Sequence, residues 1–131
     1  MSQNVEIVGQ AIAAMNARDI DGYLACCTED VMLRTPLAEI TGVYEGVDGI
    51  KRFLVDVEDA APDFRIDAER VESVGASQVL AILQITASGR SSGIPQNAAT
   101  ANVYDLVEGK INRIRIFLDR HEALEAVGLE E

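Results

Sequence analysis

The 131-residue chain has no tryptophan, a single histidine and only two cysteines, which are adjacent at Cys26 and Cys27. Neighbouring cysteines reach disulfide geometry only with strain, and one histidine without a CxxC pair does not make a zinc site. The two cysteines are therefore predicted to be small side chains on a helix. The sequence predicts no metal site and no cofactor.

Long apolar runs and an excess of positive charge are also absent. No segment approaches the roughly 20 apolar residues that span a bilayer, and the first ten residues carry no basic and apolar leader pattern. Eleven Lys and Arg against 22 Asp and Glu leave a formal net charge of -11, which repels phosphate backbones and anionic lipid headgroups. We expect a cytoplasmic protein that binds neither nucleic acid nor membranes.

Apolar residues make up 48% of the chain, enough for one domain, residues 1–131, with a substantial core. Apolar positions at helical spacing predict a first helix over 5–15. Asp19 is predicted to cap a second, short helix, because its side chain can accept hydrogen bonds from free backbone amides. A turn at 28–30 and a first strand over 31–36 follow in the prediction.

A third helix is predicted from Val47 to Val57, and the pattern then changes to strand period. Asp119 is predicted to cap a final helix that Gly128 ends. Helices followed by consecutive antiparallel strands indicate an α+β fold, with a curved sheet covered by the N-terminal helices to form a cone. The interior of such a cone is the natural place for a small-molecule pocket. The four predicted strands lie in the segments 63–74, 77–89, 96–107 and 110–119.

Three segments in this order are typical of a known superfamily: MNARDIDGYLACCTEDVMLRTP, GVYEGVDGIKRFL and VYDLVEGKINRIRIFLDRHEAL. The chain resembles the nuclear-transport-factor-2-like proteins, in the SnoaL-like branch with the polyketide cyclases and ketosteroid isomerases. The resemblance covers nearly the whole chain and implies a cystatin-like, or ketosteroid-isomerase-like, roll. Members with these motifs include isomerases, cyclases, hydrolases, dehydratases and domains with no catalytic activity.

The resemblance also identifies the positions where such relatives carry catalytic residues. It places the isomerase tyrosine, aspartate base and protonated aspartic acid at Ala11, Thr35 and Asn102, and none of them matches. The acid that cyclases and epoxide hydrolases carry on the last strand falls at Ile116. Asp119 is the remaining candidate for a catalytic acid, and its alternative role is the helix cap.

The predicted pocket combines an apolar wall with a few polar groups, as small-molecule sites do. Tyr104 has an alternative role as an ordinary core residue whose hydroxyl bonds to backbone. The predicted pocket residues are Asn102, Tyr104, Thr35, Leu33, Ile114, Ile116 and Leu118.

The opposite face of the last strand carries Arg113, Arg115 and Phe117. Arginine and aromatic residues are enriched at protein interfaces, and the superfamily commonly dimerises. We therefore expect this outer face to pair two copies of the chain.

Three functions remain open from the sequence. The first is binding of a small hydrophobic molecule without the isomerase acid–base residues. The second is an isomerase, cyclase or hydrolase that acts on a hydrophobic carbonyl or epoxide-like metabolite, with Asn102 and Tyr104 polarising an oxygen and Asp119 as acid or base. The third is a non-catalytic dimerisation domain.

Overall fold

The computed structural model describes residues 3–36, 42–60, 63–86 and 97–128 of the chain. The helices of this part are α1 (Gln3–Asn16), α2 (Ile20–Ala25), α3 (Gly46–Ala60) and α4 (Arg120–Ala126). Its strands are β1 (Cys27–Arg34), β2 (Tyr44–Glu45), β3 (Arg65–Val74), β4 (Gln78–Thr86), β5 (Asn97–Val107) and β6 (Lys110–Phe117).

The six strands form one mixed sheet in the order β2-β1-β6-β5-β4-β3. Strands β3 to β6 run as an antiparallel meander, which confirms the α+β prediction, while β1 pairs with β6 in parallel. The register shifts between Ala68 and Arg70 and again between Asp105 and Leu106. Such bulges increase the local twist and bend a strand, so the sheet curls into an open cone.

A two-residue turn joins β5 to β6. Both of its residues, Glu108 and Gly109, have positive φ, at 50° and 79°. This combination matches the right-handed twist of antiparallel strands, and glycine adopts it without steric cost. The turn therefore holds β5 and β6 in register across the wall of the cone.

The first strand begins earlier than predicted. The expected turn at 28–30 is wrong, because β1 already starts at Cys27, directly after α2. The register of β1 against β6 jumps between Cys27 and Met32, so an irregular strand start replaces a separate turn. From Val31 onward the predicted alternation holds, with Val31 and Leu33 fully buried and Met32 exposed.

Aspartate side chains cap two helices as predicted. Asp19 Oδ1 accepts a hydrogen bond from the backbone N–H of Gly22 at 2.9 Å, and Asp119 Oδ1 accepts one from His121 at 2.8 Å. Each bond satisfies a helix amide that has no partner within the helix. The cap at Asp19 lets α2 follow α1 after a short break.

Helices cover both faces of the sheet, whereas the sequence predicted only the inner one. Helices α1, α2 and α3 pack against the concave face around a core that includes Val8, Leu33 and Ile50. Helix α4 packs Leu124 on the convex face, over Leu80 of β4 and other apolar residues. No helix in the described ranges is long and apolar enough to cross a membrane.

Candidate functional site

A cavity of about 100 Å³ lies between the concave face of the sheet and helices α1, α2 and α3. Its wall is mostly aliphatic and aromatic, which the sequence pattern of the inner face predicts. Helices α1, α2 and α3, strands β1 and β3 to β6, and the residue before β3 contribute to it. The lining residues are Ile12, Met15, Tyr23, Leu33, Phe53, Val57, Phe64, Ile66, Leu83, Ile85, Thr100, Asn102, Tyr104, Ile114 and Ile116.

Strand β5 supplies the polar corner of this cavity. Thr100, Asn102 and Tyr104 alternate along the strand and therefore share its inner face. The Asn102 Nδ2 donates a hydrogen bond to the Tyr104 hydroxyl oxygen at 3.1 Å, and the two residues are only 7% and 3% exposed. The Asn102 Oδ1 has no hydrogen-bond partner in the described part of the chain, although it is buried.

Tyr23 of α2 is a fourth polar residue of the cavity, and it is not among the pocket residues predicted from the sequence. Burial raises the pKa of Tyr23 well above the ordinary value of 10.0, and the neighbouring Tyr104 adds to the shift. Burial also raises the pKa of Tyr104 to about 12, against the hydrogen bond from Asn102, which lowers it. Both phenols are therefore neutral at physiological pH and act as hydrogen-bonding groups, not as bases.

None of the described residues that line the cavity is charged. General acid–base catalysis near neutral pH uses a carboxylate, an imidazole or another group that titrates in that range. The amide, the hydroxyl and the two neutral phenols of this wall can only orient or polarise a bound molecule. Nowhere in the described ranges do three His, Cys, Asp or Glu side chains come together as metal ligands.

Most of the predicted pocket residues lie together at the cavity, but two do not. Leu33, Asn102, Tyr104, Ile114 and Ile116 are part of its wall, and their placement follows the predicted strand parity.

Thr35 and Leu118 lie instead along a separate outer groove of about 440 Å³ at the ends of β1 and β6. Leu118 is 69% exposed because β6 ends at Phe117, and strand alternation no longer holds beyond that residue. Its predicted place on the pocket face is therefore wrong. Thr35 lies one residue past the end of β1, so strand alternation does not predict the direction of its side chain either.

Asp119, the candidate catalytic acid, also borders the outer groove and not the cavity. Its carboxylate accepts the hydrogen bond from His121 that caps α4. The side chain is exposed and does not line the cavity. The structure therefore assigns Asp119 to the helix cap.

The outer face around β6 is engaged within the chain. Arg113 pairs with Asp105 of β5 at 2.6 Å, and Arg115 approaches the same carboxylate at 3.7 Å. Burial lowers the pKa of Arg115, and the neighbouring Arg113 lowers it further. Phe117 is half-buried against the apolar cluster beneath α4, so part of its ring is already covered within the chain.

Comparisons with known proteins agree with the fold. A family model described as the SnoaL-like domain matches residues 8–114. A cystatin-fold protein from Novosphingobium aromaticivorans is 26% identical, with a TM-score of 0.74 over 89% of this chain and 98% of its own.

Two further solved structures are similar at lower identity. TerC, co-crystallised with polyporic acid, is 22% identical, with a TM-score of 0.78 over 96% of this chain and 98% of its own. An NTF2-like protein of unknown function from Burkholderia pseudomallei is 21% identical, with a TM-score of 0.75 over 98% of this chain and 99% of its own. At these identities the likeness concerns the fold alone. A search among curated proteins gave no match.

The matched family model spans more than three quarters of the chain. The cystatin-like and NTF2-like neighbours have the same curled sheet as this chain. This confirms the resemblance that the three sequence segments indicate. The chain belongs to the family of SnoaL-like domains.

Proposed function

We propose that this domain binds a small, uncharged and mostly apolar organic molecule in the cavity between its helices and the concave face of the sheet. The observation that carries the proposal is the buried Asn102 Oδ1, which has no partner in the described structure. A buried acceptor without a hydrogen bond costs about 1–3 kcal/mol, so such groups are rare in folded proteins. A ligand hydroxyl that donates to this oxygen removes the cost.

The Asn102–Tyr104 pair offers a ligand both kinds of hydrogen bond. Because Asn102 Nδ2 donates to the Tyr104 oxygen, the Tyr104 hydroxyl keeps its own proton as a donor. The free acceptor of Asn102 and the donor of Tyr104 stand side by side. A hydroxyl group, which donates one bond and accepts others, is complementary to both.

The size and polarity of the cavity limit the ligand further. An apolar cavity of about 150 Å³ holds benzene, so a cavity of about 100 Å³ limits the ligand to at most about one ring. A charged ligand is disfavoured, because burying an ion without an opposite charge is costly and the described wall has none.

Binding is favoured over catalysis because the wall lacks a titratable group for neutral pH. The enzyme hypothesis relied on Asp119 as acid or base, and this residue caps α4 outside the cavity. Binding of an organic molecule is also recorded for a protein of this fold, since TerC was co-crystallised with polyporic acid.

The test compares p-cresol with p-xylene, which replaces the hydroxyl by a methyl group of similar size. Each is titrated by NMR into the wild-type protein and into Asn102→Leu. We expect the preference for p-cresol over p-xylene to fall by about three- to tenfold in the variant, the value of one net hydrogen bond. Comparing ratios cancels the difference in hydrophobicity between the ligands.

Asn112→Leu is the matched control, because the Asn112 amide bonds to Thr28 and Asp30 and does not line the cavity. This variant should keep the wild-type ratio. No binding of either ligand to the wild type at millimolar concentration would refute the proposed function.

A further inference from the structure

We infer that Arg18 is the positioning residue that holds the Phe64 ring as the end wall of the cavity and thereby limits the length of the ligand. The inference rests on the proposed function, since the size limit concerns a ligand of that cavity. The immobility of the wall itself is a separate property that can be measured without any ligand.

The Arg18 guanidinium contacts both the ring and the backbone of Phe64. The Arg18 Cζ lies 3.7 Å from the centroid of the Phe64 ring, and Nη2 donates to the Phe64 carbonyl oxygen at 2.8 Å. Nη1 donates to the carbonyl oxygens of Met15 and Asn16 at 3.3 and 3.1 Å, and Nε lies 3.6 Å from Glu58 Oε2. A planar cation that stacks on a ring and bonds along its edge fixes both position and tilt.

Phe64 stands between two separate spaces. On one side is the interior cavity, and on the other is a shallow depression of about 20 Å³ that Arg18 borders together with Asp19 and Glu58. Phe64 and Met15 are the residues that line both spaces. If the Phe64 ring swings away, the interior cavity continues into the depression and becomes longer.

The backbone around Arg18 is anchored to the same wall. Arg18 has φ of 60°, a left-handed conformation that is unfavourable for a residue with a side chain and persists where the surroundings enforce it. The preceding Asn16 bonds with both of its side-chain ends to the backbone of Ile66, at 2.8 Å each. The end of α1 is thus tied to the start of β3, two residues after Phe64.

The positive φ provides a variant that should fold. Arg18→Gly removes the guanidinium and at the same time relieves the backbone, because glycine adopts this conformation freely. Arg18→Lys keeps the charge beside Glu58 but loses the planar group that covers the ring. Glu58→Gln removes the ion pair and leaves the stacking and the carbonyl bonds in place.

The first experiment measures ligand length with p-cresol and the two-ring 4-phenylphenol. We expect Arg18→Gly and Arg18→Lys to bind 4-phenylphenol at least about tenfold more tightly than the wild type does, with p-cresol changed by less than about threefold. Glu58→Gln should retain the wild-type selectivity. Arg70→Ala is the matched control, because it removes an exposed arginine and its ion pair with Glu72 away from the cavity. Unchanged selectivity in a folded Arg18→Gly would overturn the inference.

The second experiment needs no ligand and follows the flipping of the Phe64 ring by NMR with labelled phenylalanine. We expect flips at least about tenfold faster in Arg18→Gly and Arg18→Lys than in the wild type and in Arg70→Ala. Equal flip rates would refute the positioning role even if p-cresol does not bind. Fast flips in the variants together with absent p-cresol binding would refute the proposed function and leave the wall assignment supported.

Discussion

Replacing Asn102 by leucine and Tyr104 by phenylalanine together should stabilise the ligand-free protein. Both polar groups are buried in the cavity and bond to each other, while the Asn102 Oδ1 is unpaired in the described structure. A binding site that keeps an unpaired acceptor for its ligand is less stable than an apolar core of the same shape. The double variant removes the acceptor and its neighbour at once.

The magnitude follows from two opposing contributions. Removing an unpaired buried acceptor gains about 1–3 kcal/mol, and losing the net hydrogen bond to Tyr104 costs about 0.5–1.5 kcal/mol. The added apolar surface of leucine contributes in the stabilising direction. We expect a net gain of about 1–2 kcal/mol, which raises Tm by about 4–7 °C for a domain of this length.

Urea unfolding and calorimetry of the wild type, both single variants and the double variant measure this cycle. Tyr104→Phe alone should destabilise the protein by about 1–3 kcal/mol, because it leaves the Asn102 Nδ2 without its acceptor. Adding Asn102→Leu should then recover more than this loss. A double variant less stable than the wild type by more than about 1 kcal/mol would refute the reasoning about the unpaired oxygen.

Four further outcomes are expected. Asp119→Ala should cost about 1 kcal/mol of stability by calorimetry and leave the affinity for p-cresol unchanged, and a weaker affinity would contradict its assignment as a cap. Burial raises the pKa of Tyr104 to about 12, so the folded protein holds this proton more tightly than the unfolded chain does. The contribution of Tyr104 to stability should therefore be constant below about pH 9 and be lost as the pH rises from about 10 to 12. Alkaline urea titrations should show a loss over this range that is smaller by about 3 kcal/mol in Tyr104→Phe than in the wild type. Burial likewise raises the pKa of Cys27 to about 12 and raises that of Cys26, so Ellman's reagent should modify neither thiol at pH 8 until the protein unfolds. Static light scattering should give a dimer, and Arg115→Glu should weaken it, whereas a monomer at tens of micromolar would contradict the expected outer-face interface.

The architecture was predictable because local patterns and long-range pairing agree. The meander from β3 to β6, the caps at Asp19 and Asp119 and the pocket parity of Ile114 and Ile116 follow from period, turn residues and alternation. Each of these features depends on a few neighbouring residues. The curved sheet, predicted from the order of the elements and also implied by the resemblance, is confirmed by the structure and by the similar folds.

One layer of the fold was missed although the sequence carries its signal. The segment VLAIL of β4 is a continuous apolar run, typical of a strand that is buried on both faces. In the structure Val79, Ala81 and Leu83 face the main core, and Leu80 and Ile82 lie beneath α4. The prediction assumed that buried and exposed residues alternate along each strand, which accounts only for the concave face. It therefore placed no helix on the convex face.

The finer features of the site depend on positions that no local pattern encodes. Whether Asn102 finds one partner or two depends on the distance to Tyr104 and on what faces it from α2 and β6. Phe64 lies in the predicted strand segment 63–74 and has the parity of Ile66, which also lines the cavity, although β3 itself begins at Arg65. Its role depends on Arg18, 46 residues earlier in the chain.

The most direct measurement is a crystal structure of the protein soaked with p-cresol. Binding as proposed places the ring among the apolar residues of the cavity, with the hydroxyl oxygen about 2.7–2.8 Å from Asn102 Oδ1. Electron density for p-cresol only in the outer groove beside Asp119, with the cavity empty at saturating ligand, would contradict the proposed binding site.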